Sequence, residues 1–486
     1  MLTRAMIGML LAMASLGTAL GERAKKPNIV FILTDNQGAW TLGCYGNPDI
    51  RTPNIDRLAA EGMLFTRAYA SNPVCSPTRA TYLSGLMPSQ HGVHCFLDGK
   101  YMMGPQAYNT LEEFRTLPKI LAENGYVCGL TGKWHLGANL TPQEGFSYWI
   151  TMVHGSTSEF YDLPVIEDGE VRKEPKYATD LWTEHAVRFI RQNKDRPFFL
   201  YLPYNGPYNL GRLLLNEARN RHREYYQDKS FPSFHRDVMH PWLYNNKQYL
   251  NNPVSIRRVA AETSGVDDGV GEVMATLKEL GLDENTLVVY AADQGWMGGM
   301  NGLWGMGDHT RPMGAFDGMM HIPMIFRHPT RIAPGSTSDI MVSNYDFLPT
   351  VLSYLDLPKA LDGATPRSPG RDFSPVLLDQ ERPWENTVYY EMEYVRAIRT
   401  GRYKYVHRLK GPFELYDLEQ DPYEKFNLFG QPSHTDIQHE LKQRLDGFFA
   451  EYADPKYDLY HGGTSKASLL SHRKPRAAQR KTTKKQ

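Results

Sequence analysis

Two apolar segments that lie far apart in the chain end in the same way. Residues 28–34 (NIVFILT) run into Asp35, and residues 287–292 (LVVYAA) run into Asp293, each Asp being followed by an amide residue. A short apolar run rich in Val and Ile is typical of a strand that is buried on both faces of a parallel sheet. Ligand sites in such sheets gather at the carboxyl ends of the strands, where a buried carboxylate needs a partner. We therefore predict an α/β fold whose large, mostly parallel sheet is sandwiched by helices and carries a site at one edge.

The strand-end residues have the chemistry of a site for a hard cation. Asp35 and Asn36 follow the first strand, and Asp293 and Gln294 follow the second. Their side chains offer oxygen donors and no sulfur or imidazole, which suits Ca²⁺ or Mg²⁺ and argues against zinc or copper. The alternative is that these side chains serve only the packing of the core.

Residues 75–84 read CSPTRATYLS and contain the pattern Cys-x-Pro-x-Arg at Cys75, Pro77 and Arg79. Pro is favoured in the first turn of a helix, so we expect Cys75 near a helix N-terminus, where an anion is stabilised. The segment resembles the signature of type I sulfatases, in which the cysteine is oxidised to Cα-formylglycine. The alternative is a structural cysteine that precedes a helix.

Two further segments are similar to sulfatase segments. Residues 132–137 (GKWHLG) match the family's Gly-Lys-Trp-His-x-Gly, and the resemblance makes Lys133 and His135 an anion clamp and proton-transfer pair. Residues 307–326 resemble the segment after the family's second metal pair, in which a Lys contacts the sulfate. Arg311 aligns with that Lys and offers a planar fork instead of a point charge.

The resemblance also places the family's metal ligands on Asp35, Asn36, Asp293 and Gln294, together with an oxygen of the modified Cys75. The family usually has Asp where Asn36 stands, and Asn or His where Gln294 stands. One negative charge is therefore missing from this site. We expect weaker metal affinity when substrate is absent.

One residue that the resemblance implies is missing. Sulfatases commonly have a His-x-Pro-type loop after a strand such as residues 197–202, and that His contacts the ester oxygen. Here the following loop, residues 203–208 (PYNGPY), contains no His. The candidates for its role are Tyr208, Asn205 and His309, and the acid for the leaving group stays open.

The similarity to sulfatases runs over residues 27–452 and implies an alkaline-phosphatase-like fold that hydrolyses sulfate esters, here on a sulfated saccharide. A formylglycine hydrate carries two hydroxyls: one, held on the cation, attacks sulfur, and the other then expels sulfate. In this scheme Arg79, Lys133 and Arg311 stabilise charge on the sulfuryl oxygens. Two alternatives stay open: a phosphodiesterase or phosphonate monoester hydrolase on the same scaffold, and a non-catalytic glycan-binding relative.

The first residues of the chain predict where the protein is located. Residues 1–21 have the charged start, short apolar core and small terminal residues of a signal peptide, and the apolar core is too short to span a membrane. We expect the mature protein in the periplasm or outside the cell. The cysteine signature implies a formylglycine-generating maturation enzyme as a partner. With 54 Lys and Arg against 54 Asp and Glu, no nucleic-acid partner is expected.

The chain is predicted to have a catalytic domain over residues 27–380, a C-terminal subdomain over residues 381–455, and a basic disordered tail over residues 456–486. Helices are predicted at residues 52–62, 256–280 and 436–452, and a small antiparallel sheet from strands at residues 387–391, 395–399, 404–406 and 414–418. The stretch from Lys466 to Lys485 holds eight Lys or Arg and no acid. A solvated tail is favoured there over contact with polyanions.

Residues 208–249 leave the sulfatase pattern and are rich in Arg, His, Tyr and Asn. Because they follow the strand at residues 197–202, we expect them to overhang the cleft that holds Cys75. Arg221 and Arg223 are the candidate ligands for a sulfated saccharide. The alternative is a solvated surface loop.

Overall fold

The structure is a computed structural model, which describes residues 26–157, 159–467 and 469. The described strands, in chain order, are β1 (Asn28–Asp35), β2 (Met63–Phe65), β3 (Ala68–Tyr69), β4 (Val127–Gly132), β5 (Phe146–Met152), β6 (Leu163–Glu167), β7 (Glu170–Glu174), β8 (Phe198–Pro207), β9 (Thr286–Ala292), β10 (His321–Ile322), β11 (Met324–Arg327), β12 (Ser336–Ser338), β13 (Val342–Ser343), β14 (Thr387–Met392), β15 (Val395–Thr400), β16 (Tyr403–Arg408) and β17 (Glu414–Asp417).

The described α-helices are α1 (Pro53–Ala60), α2 (Cys75–Ser84), α3 (Pro88–His91), α4 (Leu117–Glu123), α5 (Ala178–Asn193), α6 (Arg223–Tyr226), α7 (Pro253–Glu279), α8 (Asp317–Met320), α9 (Phe347–Tyr354), α10 (Ser374–Leu377) and α11 (Thr435–Tyr452). The predicted helices at residues 52–62, 256–280 and 436–452 are confirmed as α1, α7 and α11. None of the helices in the described ranges is long and apolar enough to cross a bilayer.

The central sheet has ten strands in the order β12-β2-β11-β9-β1-β8-β4-β5-β6-β7. The five strands from β9 to β5 in this order are mutually parallel. Antiparallel pairing occurs toward the two edges, where β11 runs against β9 and β2, and β6 runs against β5 and β7. The predicted large and mostly parallel sheet is confirmed.

The strand β1 is buried along its whole length because helices cover both faces of the sheet. Its odd-numbered residues Ile29, Phe31 and Leu33 pack in one apolar cluster with residues of α2, α4 and α9. Val30 and Ile32 point to the other face, where they pack with residues of α1, α5 and α7. Side chains on a strand alternate between faces, so a strand with two buried faces needs the unbroken apolar run that the sequence shows.

The four predicted C-terminal strands are confirmed as an antiparallel sheet in the order β14-β15-β16-β17, which packs against α11. Its first strand also supports the segment around α2. The backbone N–H of Glu391 donates to the carbonyl of Ser71 at 2.8 Å, and the Glu391 carboxylate accepts from the backbone of Ser89 at 2.7 Å. The C-terminal sheet therefore fixes residues on both sides of the Cys75 helix.

The predicted signal peptide, residues 1–21, lies outside the described residues, as does most of the predicted tail. The expectation of a disordered chain from residue 456 is wrong for residues 456–467. Asp454 bonds back to Ser89, and the carbonyl of Ala467 accepts from the backbone of both His94 and Cys95 at 3.0 Å. These hydrogen bonds use backbone groups, which the charge pattern of the sequence does not reveal.

Candidate active site

The two strand ends that the sequence singled out meet at one edge of the sheet. β1 and β9 are parallel neighbours in a register that pairs Thr34 with Ala292, so the next residues, Asp35 and Asp293, lie side by side. Oδ1 of Asp293 accepts hydrogen bonds from the backbone of Asn36 at 3.0 Å and of Gln294 at 2.9 Å. Both Asp side chains are fully buried.

Two buried cations balance the two carboxylates. Arg79, on α2, donates from Nη2 to Oδ2 of Asp293 at 2.8 Å and to Oδ2 of Asp35 at 3.1 Å, and from Nη1 to the carbonyl of Lys133 at 2.7 Å. The Lys133 ammonium bonds Oδ2 of Asp35. Breaking such a buried pair on one side leaves an uncompensated charge and typically costs about 3–5 kcal/mol. Arg79 therefore acts mainly to hold the carboxylates and the Lys133 loop in position.

Cys75 is the first residue of α2, and its Sγ lies 3.6 Å from Oδ1 of Asp35. The expected position at a helix N-terminus is confirmed. Burial, followed by the charge of Asp35, raises the pKa of the Cys75 thiol well above its ordinary value. Because the thiolate is the reactive form of cysteine, unmodified Cys75 is a poor nucleophile in this setting.

The donor set fits a hard cation. Ligand atoms of Asp35, Cys75 and Asp293 lie within 4.8 Å of one another. The amide nitrogen of Gln294 contacts Oδ1 of Asn36 and lies 3.3 Å from Sγ of Cys75, while Nδ2 of Asn36 is buried without a partner. These amide groups therefore have unused capacity, and an amide rotation turns oxygen instead of nitrogen toward a cation. The four strand-end residues and residue 75 could together hold the metal.

His135 is held beside Cys75 by the loop after β4. Its Nε2 lies 3.4 Å from the carbonyl of Leu97, its Nδ1 is buried without a partner, and its carbonyl accepts from Ser76 Oγ at 2.9 Å. Burial, then the charges of Lys133 and Arg79, lower the pKa of the His135 imidazole well below its ordinary value. A neutral imidazole with one unpaired nitrogen can accept a proton.

Three site residues have left-handed backbones: Asn36 (φ 58°), His135 (φ 59°) and Tyr208 (φ 43°). Each lies in the turn that follows a strand of the parallel sheet. Non-glycine residues in this region cost free energy and cluster at functional sites. The backbone geometry is an indication of function that is independent of the side-chain motifs.

The structure separates the three candidates for the missing His. Tyr208 lies at the site: its backbone donates to Asp35 at 3.1 Å, and the Lys133 ammonium lies 5.2 Å from its ring centroid. Asn205 has a structural role, because its Oδ1 accepts a hydrogen bond from the Trp182 indole at 2.8 Å. His309 lies one layer out, beside Met306, whose sulfur is 3.3 Å from the Gln294 amide.

Arg311 lies in the loop after β9. Its guanidinium donates to the carbonyls of Asp308 at 2.7 Å and Thr310 at 2.6 Å, and it stacks on the ring of Tyr244 at 4.8 Å. These contacts place it at the mouth of the site region rather than among the buried charges. Residues 242–245 of the insert lie against this part of the loop: the backbone N–H of Tyr244 donates to the carbonyl of His309 at 3.0 Å.

Arg221 and Arg223 lie elsewhere. Arg221 is 56% exposed and forms ion pairs with Asp180 of α5 at 2.5 Å and Asp268 of α7 at 3.3 Å, and Arg223 begins the exposed turn α6. The expectation that both arginines bind substrate is therefore not supported by their contacts. The sequence pattern could not show that the insert folds back over α5 and α7 before it returns to the site.

Sequence reasoning missed three residues that shape the site. Asn209 donates to the carbonyl of Asn36 at 2.9 Å and fixes that turn. Ser76 ties α2 to Leu97, whose N–H donates to the Ser76 hydroxyl at 3.1 Å. A Cβ on Gly155 would lie 1.9 Å from Nε2 of His135. No motif carries these roles, and each depends on contacts between distant segments.

Comparisons with known proteins identify the family of the chain. A family model described as Sulfatase matches residues 27–357, and one described as N-sulphoglucosamine sulphohydrolase, C-terminal, matches residues 306–451. The N-acetylglucosamine-6-O-sulfatase of Bacteroides thetaiotaomicron is 28% identical, with 91% of this chain and 90% of the relative covered.

Solved structures share the fold. One, described as a complex with its substrate D-glucosamine-2-N,6-O-disulfate, has a TM-score of 0.70 and 24% identity, covering 90% of this chain and 100% of that chain. The phosphonate monoester hydrolase of Agrobacterium radiobacter has a TM-score of 0.63 and 20% identity, covering 88% and 96%. The fold is thus the alkaline-phosphatase-like fold predicted from the sequence. The chain belongs to the sulfatase family and is a sulfatase.

The space around His135 gives a first prediction. Gly155→Ala should displace the imidazole and lower kcat by about 10²-fold, the lower end of what general acid–base groups contribute, and overpacking around the buried ring should cost about 1–3 kcal/mol of stability. Gly401→Ala is the matched control, because no atom lies within 4 Å of a Cβ there. Steady-state kinetics on a sulfate ester and thermal unfolding measure both. Wild-type kcat in Gly155→Ala would show that the imidazole position is unimportant.

The reduced charge at the metal site gives a second prediction. Asn36→Asp should raise affinity for Ca²⁺ on the order of ten-fold, because ligand charge tunes calcium affinity. Titration calorimetry on chelator-treated protein measures it without any activity. Asn251→Asp is the control, an exposed residue with a similar φ of 59°. Equal calcium affinity in both variants would remove Asn36 from the ligand set.

Proposed function

We propose that this sulfatase hydrolyses sulfate esters on a sulfated carbohydrate, with a formylglycine made from Cys75 and a bound Ca²⁺ or Mg²⁺. One observation carries the proposal. A cysteine that is kept protonated by burial lies against two buried carboxylates and two buried cations. A protonated thiol gains nothing from these four charged groups, whereas an oxygen nucleophile bound to a metal requires carboxylates to hold the metal and cations to stabilise the developing negative charge.

As the aldehyde hydrate, residue 75 would supply one hydroxyl to attack sulfur and a second hydroxyl to release sulfate, and a cation would stabilise charge on oxygen. Asp35, Asn36, Asp293 and Gln294 would hold that cation. Other residues of the chain would position these groups, bind the sulfate and transfer protons. Arg79 fixes Asp35 and Asp293 relative to α2.

Lys133 has its ammonium between the Asp35 carboxylate and the Tyr208 ring. There it is suited to bind a sulfuryl oxygen once a cation shares Asp35. Neutral His135, with its unpaired Nδ1, is suited to take a proton from the hydrate. His309 is the candidate acid for the leaving group, because it lies behind Met306 on the loop that carries Arg311.

The saccharide assignment rests on the relatives and on the mouth of the site. The matched relative is named for a sulfated amino sugar, and one matched structure is described with a sulfated glucosamine as substrate. Tyr244, 58% exposed, and Arg311 together offer a stacking face and a charge. Such pairs suit sulfated sugars, through stacking on the sugar face and charge-assisted hydrogen bonds.

The alternative of a phosphonate monoester hydrolase keeps one supporting observation, the shared fold with such an enzyme. Both activities would use the same nucleophile and metal. Comparing kcat/KM for an aryl sulfate and an aryl methylphosphonate on the same preparation separates them. A higher value for the phosphonate would reverse the proposal.

The expected location remains periplasmic or extracellular, on the basis of the signal peptide in residues 1–21. A formylglycine-generating enzyme is the maturation partner that the Cys75 signature requires. The location is tested by expression of the full chain and recovery of mature protein from cell fractions.

The nucleophile gives a third prediction. After co-expression with a maturation enzyme, the peptide that contains residue 75 should be lighter by the difference between CH2–SH and CHO. Cys75→Ser should be inert or release at most one equivalent of the alcohol and no sulfate, because the sulfated serine lacks the second hydroxyl that expels sulfate. Cys128→Ser is the control, a buried cysteine away from the site. Fully active protein with an intact Cys75 thiol would end the proposed mechanism.

The mouth of the site gives a fourth prediction. Tyr244→Ala removes the ring under Arg311 and should raise KM for a sulfated disaccharide about 2- to 5-fold, as expected for an exposed cation–π pair. Arg221→Ala should leave KM unchanged, because its charge is paired with Asp180 and Asp268. The reverse order of effects would place substrate recognition over α5 and α7.

A further inference from the structure

A groove of about 500 Å³ lies between the loop that joins β5 to β6 and the first part of the insert. The residues that line it include Glu159, Tyr161, Asn216, Glu217, Arg219 and Arg258. Arg258 belongs to the second turn of α7, the helix that carries the chain back from the carboxyl ends of the parallel strands to the start of β9. The groove therefore lies at the edge of the sheet that holds the active site.

Both walls of the groove continue into the active site. On one wall, Gly155 packs on His135. Glu159 follows Gly155 by four residues and is therefore at most about 14 Å from it along the chain. On the other wall, the insert begins at Tyr208, whose backbone N–H donates to Asp35. A saccharide longer than the sugar that carries the ester can therefore extend from the active site into the groove.

Arg219 is an exposed cation of the groove that is held by rings. Its guanidinium stacks on Tyr161 at 4.2 Å from the ring centroid, and the Tyr161 ring stacks on Tyr177 at 5.3 Å. Among the described residues, no carboxylate forms an ion pair with Arg219. A guanidinium that is stacked through its face keeps its N–H groups free at its edge. Arg219 is thus positioned in advance to bind an anion.

Arg258 is a buried cation of the same groove, with a side chain that is 2% exposed. Its Nη1 donates to the carbonyls of Asn216 at 3.3 Å and Glu217 at 3.2 Å, and its Nη2 lies 3.4 Å from Oε1 of Glu262. Among the described residues, Nε and Nη2 have no hydrogen-bond partner. Buried donors without partners cost free energy and call for an explanation. An anion in the groove would supply the missing acceptor.

The carboxylates of the groove leave these two guanidinium groups available. Glu217 forms an ion pair with Arg257, and Asp162 lies 3.5 Å from Lys173. Glu159 is exposed and can accept hydrogen bonds from hydroxyl groups. The groove therefore suits a ligand that carries both an anionic group and hydroxyl groups, which is the chemistry of an acidic sugar.

We propose that this groove is a second subsite, which binds an acidic sugar next to the sugar that carries the scissile ester. Arg219 and Arg258 bind its sulfate or carboxylate through charge-assisted hydrogen bonds, and Glu159 accepts from its hydroxyls. The proposal rests on the proposed function for the choice of a saccharide. Its consequence is that the enzyme prefers acidic oligosaccharides to single sugars, because only the longer ligand reaches the groove.

The test is the binding of a heparin-derived hexasaccharide to Cys75→Ala protein, measured by titration calorimetry. Adding Arg219→Gln should weaken binding about ten-fold, as expected for the loss of one hydrogen-bonded charge. Arg221→Gln is the matched control, because it removes an exposed arginine two residues away whose charge is paired with Asp180 and Asp268. Equal affinities of the two variants would overturn the proposal.

Arg258→Lys tests the buried cation. Lysine keeps a positive charge beside Glu262 but lacks the planar fork of arginine. Affinity for the hexasaccharide should fall about three- to ten-fold, and thermal unfolding shows whether the variant is folded. A folded variant that binds the hexasaccharide like the parent protein would remove Arg258 from the subsite.

Two further arms identify the anion and separate binding from folding. A hyaluronan hexasaccharide carries carboxylates without sulfate, and a kappa-carrageenan hexasaccharide carries sulfates without carboxylate. The ligand whose affinity depends on Arg219 identifies the anion, and dependence of neither would overturn the proposal. In protein with residue 75 intact, Arg219→Gln should lower kcat/KM for a sulfated oligosaccharide at least five-fold relative to an aryl sulfate. An equal loss on both substrates would assign Arg219 to folding of the site instead.

The binding and kinetic results are independent of each other. Because Cys75→Ala protein lacks the nucleophile, its affinity for the hexasaccharide does not depend on sulfate hydrolysis. Binding that depends on Arg219 without any sulfatase activity would keep the subsite and reject the proposed function. Sulfatase activity without such binding would do the opposite.

Discussion

The site depends on a cluster of four buried charges. Asp35 and Asp293 are held by Arg79 and Lys133, and all four side chains are fully buried. Formal charge cancels within the cluster, which makes burial tolerable. The carboxylates come from two neighbouring parallel strands and the cations from α2 and the loop after β4. The cluster therefore ties together the three segments that the chemistry needs, and any entering cation must share ligands that already have partners.

The balance of charge also bears on the proposed metal site. A divalent cation adds two charges to a neutral cluster, and Asn36 and Gln294 contribute only amide dipoles. An anionic substrate can restore part of the balance. The site is thus better suited to bind metal and sulfate ester together than to keep a metal tightly on its own. The side-chain nitrogen of Asn36, buried without a hydrogen-bond partner, is consistent with a ligand group that is satisfied only when metal and substrate are bound.

Much of this architecture was accessible from the sequence. Unbroken apolar runs predicted β1 and β9, and their matching ends predicted that Asp35 and Asp293 meet. The Cys75 and Lys133 segments were found because their spacing carries chemistry. The fold of residues 208–249 was not accessible, since Arg221 is paired with carboxylates that lie 41 and 47 positions away in the numbering. Gly155 and the hydrogen-bonded residues 456–467 were missed for the same reason: their roles exist only in contacts between distant segments.

The contact between β14 and the Cys75 helix has a consequence for the order of events during synthesis. Glu391 bonds Ser71 and Ser89 on either side of Cys75, and Asn344 bonds Ser71 as well. These partners emerge from the ribosome hundreds of residues after residue 75. Until they do, the helix lacks part of its cover and its cysteine stays open to modification. Completion of the chain then removes this access, so under the proposed conversion of Cys75 to formylglycine the time needed to translate residues 76–391 would limit maturation.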